Sequence, residues 1–169
     1  EFRRVLFRSF GIKRAGSDAW VVTAAPPVGD ALFYPGFDPT HAAPDIGDSA
    51  VLELVGLGGA AAAGSPAVAA FLGGSMADAE RATNEMRTIC SGTSTRLKLP
   101  IQDFTGTPVG VDLRKVVETR LTPKVTTGIL HASSGEGQIG AGVATAPVDV
   151  FRQCLKEFTD QSTSGDRRP

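Results

Sequence analysis

From Leu54 to Ala77 the chain carries no charged side chain: LVGLGGAAAAGSPAVAAFLGGSMA. A run of that length must be weighed as a membrane span. Its make-up argues for burial inside a soluble domain instead. Pro66 and seven glycines or serines before Ser75 interrupt it, and its commonest residue, alanine, is only weakly apolar. Ser65-Pro66 has the form of a helix start, with serine at the cap and proline at the first helical position. The segment therefore reads as two short buried helical pieces, about 59–63 and 66–72, broken at Gly64.

The chain around this run has 169 residues, one domain's worth, and a chain of that size buries roughly 70% of its unfolded surface. It holds 20 Gly and 11 Pro, where average usage would give about 12 Gly. The glycines fall in clusters without a repeat, which excludes collagen-like and low-complexity chains. Cys90 and Cys154 are too few for a disulfide framework, and their separation fits no metal-ligand spacing. A reducing compartment follows, by default the cytoplasm. With 17 basic and 18 acidic residues there is no electrostatic case for nucleic acid. Residues 1–9, EFRRVLFRS, look like a translated sequencing adapter and are set aside from the fold. On that reading the chain is the C-terminal piece of a longer protein.

Along the remainder, 18–25 reads as a strand stopped by Pro26-Pro27, and 31–39 as an extended edge or loop. Ser75 caps the clearest helix, 76–90, with Asp78 in its first turn and Gly92 suited to its stop. Residues 97–112 are extended, broken by Pro100 and Pro108. Asp112 caps a helix over 113–120, and the β-branched run 124–131 is the best strand. A last helix covers about 147–158, and 159–169 reads as a disordered polar tail. Helices and strands interleave without a regular βαβ beat, so the fold class is α+β, a single Gly/Ala-rich domain over 10–158.

Chemistry concentrates after the strand 124–131. Gly135, Gly137, Gly140 and Gly142 allow backbone N–H groups to approach an anion closely. Gly135 to Gly140 spells GxGxxG, but no helix follows as the dinucleotide fingerprint requires, and a tight turn explains the glycines equally. His131 ends the strand and suits a carbonyl-polarising or proton-transferring role; His41, in a Pro-rich loop, ranks below it. Arg114 and Lys115 stand in the first turn of a helix, against the macrodipole, a placement that an anion between them would explain. An Arg114–Glu118 surface pair is the alternative. Asp45, Asp48 and Glu53 are the carboxylates available to Mg²⁺, although aspartates in such turns more often bond nearby backbone amides. Gly56-Leu57-Gly58-Gly59 opens a buried helix that can receive an anion or simply pack closely. No GxSxG or Walker sequence occurs, which argues against hydrolase and P-loop chemistry.

The runs PPVGDALFYPGFDP, PDIGDSAVLELVGLGGAAAAGSPAVAAFLGG, DFTGTPVGVDLRKVVET and TTGILHASSGEGQIGAG, in this order, resemble the YlbE/AllG-like family. The resemblance covers about 10–158 and implies the C-terminal part of a longer subunit. It further implies oxamate carbamoyltransferase chemistry in allantoin breakdown: carbamoyl exchange between oxamate and phosphate, without a cofactor, beside FdrA-like and AllH-like subunits. For that reaction His131 and Arg114 are the candidate catalytic residues, with Lys115 and the glycines at 135, 137, 140 and 142 as candidate anion contacts. A non-catalytic subunit shaping a site on a partner is the alternative.

Overall fold

A computed structural model of the chain describes residues 9–46, 50–71, 74–133 and 135–165. The architecture is α+β, as expected, with three small antiparallel sheets and four α-helices among the described residues. Strand β1 (Ser9–Lys13) pairs with β2 (Trp20–Ala24). Strand β3 (Val28–Phe33) is an edge of a three-stranded sheet, with β7 (Gln138–Thr145) in the middle and β6 (Lys124–Leu130) beyond it. Strands β4 (Cys90–Leu99) and β5 (Thr105–Val111) form the third sheet.

The uncharged run folds largely as its punctuation predicts. Gly58–Gly64 is a 3₁₀ segment and Pro66–Phe71 is helix α1; the Ser65 hydroxyl accepts from the Val68 amide at 3.3 Å. Ala62, Ala69, Ala79 and Ala82 form a core patch between these pieces and helix α2 (Met76–Ile89). Alanines let the backbones come close, and glycine lets them touch: a Cβ on Gly59 would stand 2.5 Å from the Lys124 carbonyl oxygen. Among the described residues no helix is long and apolar enough to cross a membrane.

Ser75 caps α2 by accepting from the Asp78 amide, and Asp112 caps α3 (Leu113–Thr119) by accepting from the Arg114 amide. The main core joins Met86 and Ile89 of α2, Val116 of α3, Val21 of β2, and Val150, Phe151 and Cys154 of helix α4 (Val148–Gly165). Cys90, free and buried in this core, has its thiol pushed up to about 11, chiefly by burial.

Several boundaries differ from the sequence reading, each for a physical reason. Helix α2 stops at Ile89, and Gly92 lies inside β4 rather than at a helix end. Most of β4 is polar and outward-facing, with only Cys90 and Leu99 buried, so it offers no apolar alternation to recognise. Helix α4 runs on to Gly165, so 159–165 is helical rather than a disordered tail; extending a helix already nucleated costs little. Ser9, set aside with the adapter-like start, opens β1 opposite Ala24, while residues 1–8 lie outside the described ones.

Candidate functional site

The glycine run divides in two. Gly140 and Gly142 belong to β7, between β3 and β6, with Gly140 opposite Phe33 and Ile129, and Gly142 opposite Ala31 and Thr127. Both are buried, and a Cβ on Gly140 would collide with the Leu32 carbonyl oxygen. Gly140 thus permits close strand approach within a sheet instead of cradling an anion. Gly135 and Gly137 lie in the β6–β7 turn, at φ +98° and +79°, with open space around them. The His131 amide donates to the Gly137 carbonyl at 3.0 Å and closes this turn. Gly137→Val should therefore cost only the left-handed backbone penalty, about 1–2 kcal/mol by urea unfolding, since no neighbour is displaced.

His131 sits where β6 ends, and a second histidine meets it there. The chain turns at Tyr34–Phe37, where the Phe37 amide donates to the Tyr34 carbonyl at 3.1 Å, and then forms a 3₁₀ turn over Pro39–His41 capped by Asp38. Ala42 bridges to His131, the Ala43 amide donates to Leu130 and the Ala132 amide to His41, each at 2.8 Å. This stitching sets the His41 and His131 rings 5.6 Å apart by centroid. Phe37 stands edge-on to both, 5.8 Å from each.

The two imidazoles have different partners. The Ser133 amide donates to His131 Nδ1 at 2.9 Å, so in the neutral ring the proton is on Nε2, available to an acceptor. His41 Nδ1 lies 3.1 Å from the Asp38 carboxylate and can donate to it, which leaves Nε2 as the basic nitrogen; in the opposite tautomer Nδ1 accepts from the Asp38 amide at 3.3 Å. The Thr40 hydroxyl and amide hold the Asp38 carboxyl below its ordinary value, so it is ionised beside His41. Two half-buried imidazoles thus lie side by side, His131 donating through Nε2 and His41 able to accept through Nε2 when its Nδ1–H is given to Asp38. A cavity of about 390 Å³ opens beside the segment carrying His41, lined by Val28, Phe33, Pro39, Ala42 and Pro44 among others. The signal for His41 was present in the sequence. Asp38-Pro39-Thr40-His41 has the cap-then-proline form of a helical turn, which points a residue three places on back toward its cap.

Arg114 and Lys115 are engaged elsewhere in the fold. The Arg114 guanidinium grips its own cap, with Nε 3.1 Å from Asp112 Oδ1 and Nη2 2.8 Å from Oδ2. The expected alternative partner, Glu118, is not the one used. Hydrogen bonding from Arg114 holds the Asp112 carboxyl well below the usual carboxylate range. That depression makes the cap's contribution fully present above the ordinary carboxylate range, and lost as pH falls from there through the depressed titration of the folded state. Lys115 Nζ donates to the Cys90 carbonyl at 2.6 Å. The cations that oppose the macrodipole are thus answered inside the molecule. The Arg114 side chain is 78% exposed, so Arg114→Gln should shift stability by less than about 1 kcal/mol in urea titrations and leave any activity unchanged.

Of the carboxylates singled out for Mg²⁺, Asp45 and Glu53 lie among the described residues. Glu53 is buried and accepts from the Gly59 and Ala60 amides at 2.9 and 3.3 Å, the start of the 58–64 segment. That helix start does receive an anion, but one supplied by the protein. Asp45 is buried, its amide bonded to the Pro26 carbonyl, and Asp48 lies outside the described residues. Among the described residues no three His, Cys, Asp or Glu side chains converge as a metal site.

The same fold occurs in the crystal structure of a conserved protein of unknown function from Enterococcus faecalis V583. It matches at a TM-score of 0.85 and 35% identity, over 90% of this chain and 37% of that one. The chain is 41% identical over 157 residues to the oxamate carbamoyltransferase subunit AllG of Escherichia coli K12, covering 92% of this chain and 38% of that protein. It is 33% identical over 147 residues to the uncharacterised protein YahG of the same organism, covering 86% of this chain and 31% of YahG. No family model matches. The chain belongs to the AllG-like family, and it spans less than two fifths of the length of the curated relatives it matches.

Proposed function

We propose that the chain is part of a subunit of an oxamate carbamoyltransferase-type enzyme, with its reaction centred on the His41–His131 pair. The observation that carries this reading is the 41% identity to AllG across 92% of the chain. The chemistry asked of the site is small. A phosphate oxygen attacks the carbamoyl carbon of oxalurate, the carbon–nitrogen bond breaks, and the leaving nitrogen takes a proton to become oxamate. His131 Nε2–H stabilises the carbonyl oxygen as charge grows on it. His41, paired with Asp38, takes at Nε2 the proton that the attacking hydrogen phosphate loses and hands it to the leaving nitrogen; in the reverse direction the same proton moves back. Amides of the Gly135–Gly137 turn are the nearest candidate contacts for phosphate; Arg114 and Lys115, already engaged, are not assigned to it.

FdrA-like and AllH-like subunits are the proposed partners, and the cytoplasm the proposed compartment. The test uses the full-length protein with both partner subunits, and follows carbamoyl phosphate formed from oxalurate and phosphate. Phosphate-dependent product that vanishes when this subunit is omitted is the expected result. Undiminished product without it would assign the chemistry to a partner and leave this subunit a structural role.

A further inference from the structure

The 3₁₀ turn Leu52–Val55 is built inside out. Its one carboxylate, Glu53, is 1% exposed, while Val51 (74%), Leu54 (58%) and Val55 (53%) face outward together with Leu52 and Leu57. Glu53 must point inward to cap the 58–64 segment, and its apolar neighbours are turned to the surface in consequence. Single exposed leucines are ordinary; five apolar side chains within residues 51–57 make a patch of the kind that marks an interface. Leu54 carries the patch into a cavity of about 490 Å³, floored by Ile12, Phe151 and Leu155 and rimmed by Lys13, Arg14 and Arg114. Asp112 in that lining pairs with Arg114, and Lys13 lies 3.5 Å from Asp18, so among the described residues Arg14 is the rim cation that no acid answers.

We infer that residues 51–57 and the adjoining cavity seat another part of the same polypeptide, an apolar segment flanked by acidic side chains and lying outside residues 1–169. Three observations select this occupant. The matched relatives have well over half their length outside the region aligned here, which is chain enough to supply such a segment. The rim calls for negative charge. A second copy docking through a two-fold would bring a second Arg14 to the same patch, which like charge opposes. A covalently linked segment also enjoys a high effective concentration that a separate partner lacks.

The test is independent of catalysis. In the full-length protein, cysteine is introduced at Val55 (V55C) and, as a second probe, at Val51 (V51C). Maleimide labelling of the peptide carrying each position is then followed by mass spectrometry, in native buffer and in denaturing urea. Both probes should label at least about tenfold more slowly in the native protein than in urea, because reaction must await opening of the covered face. Native rates within about twofold of the urea rates would overturn the inference. So would protection that grows with protein concentration, the signature of a second copy, or protection seen only after partner subunits are added. Arg14→Glu should release the protection at V55C several-fold; an unchanged rate would overturn the acidic character assigned to the segment.

Discussion

On the proposed function, replacing His131 with alanine is expected to reduce carbamoyl transfer by the assembled enzyme by about 10²- to 10⁴-fold, the usual contribution of a positioned acid–base group. The protein should remain folded. The ring is half-buried, and the Ser133 amide that it accepts from is on an exposed residue that water can serve once the ring is gone. The loss should fall on kcat more than on KM, because the Nε2–H contact strengthens as charge builds on the carbonyl oxygen. His131→Asn keeps a side-chain donor and should recover part of the rate. His41→Ala should lose activity as well, and the double variant should lose less than the two single losses combined, since the residues serve one proton path. Steady-state kinetics paired with urea unfolding separates the outcomes. Wild-type turnover in a folded His131→Ala protein would favour the structural role for this subunit.

The largest expected effect on stability comes from Glu53. Glu53→Ala should cost about 3 kcal/mol, because it strands the Gly59 and Ala60 amides at the start of a buried segment and opens a space where the carboxylate was. With a urea dependence of about 2 kcal/mol per molar, the unfolding midpoint should fall by about 1.5 M. Glu53→Gln keeps an oxygen acceptor for one amide and gives up the charge facing a helix start, so it should cost less, about 1 kcal/mol. The packing leaves no slack here, since a Cβ on Gly58 would overlap the Glu53 carboxylate. Equal midpoints for Glu53→Ala and the native chain would remove the capping role.

What the sequence disclosed was mostly local. Ser75 and Asp112 announce their helices because a cap needs only a few residues of context. The alternation that buries Val125, Thr127 and Ile129 of β6 is likewise visible in seven residues. Strand β7 escaped because its glycines imitate a phosphate loop; only the nearness of the Leu32 carbonyl explains why glycine is needed at 140. Arg114 broke a local rule and so invited a functional explanation, yet the residue that answers it stands two places earlier. The candidate site was half legible. His131 stood out at a strand end, whereas its meeting with His41 depends on the Ala42–His131 bridge, a pairing across some ninety residues that no window along the chain contains.

The strand order β3–β7–β6 also governs how this polypeptide can be made. Strand β3 leaves the ribosome well ahead of the neighbour it needs, which begins at Gln138, more than a hundred residues later. At about 5–20 residues per second, β3 waits several seconds or more with an unpaired edge. The loop carrying Asp38 and His41, anchored to Leu130, His131 and Ala132, waits almost as long. The histidine pair is thus assembled only after His131 and β7 have been made, by closure across some ninety residues, and a slow, non-local folding step should accompany it. Chains released before Thr145 would present β3 to one another, and aggregation of such fragments is the expected hazard.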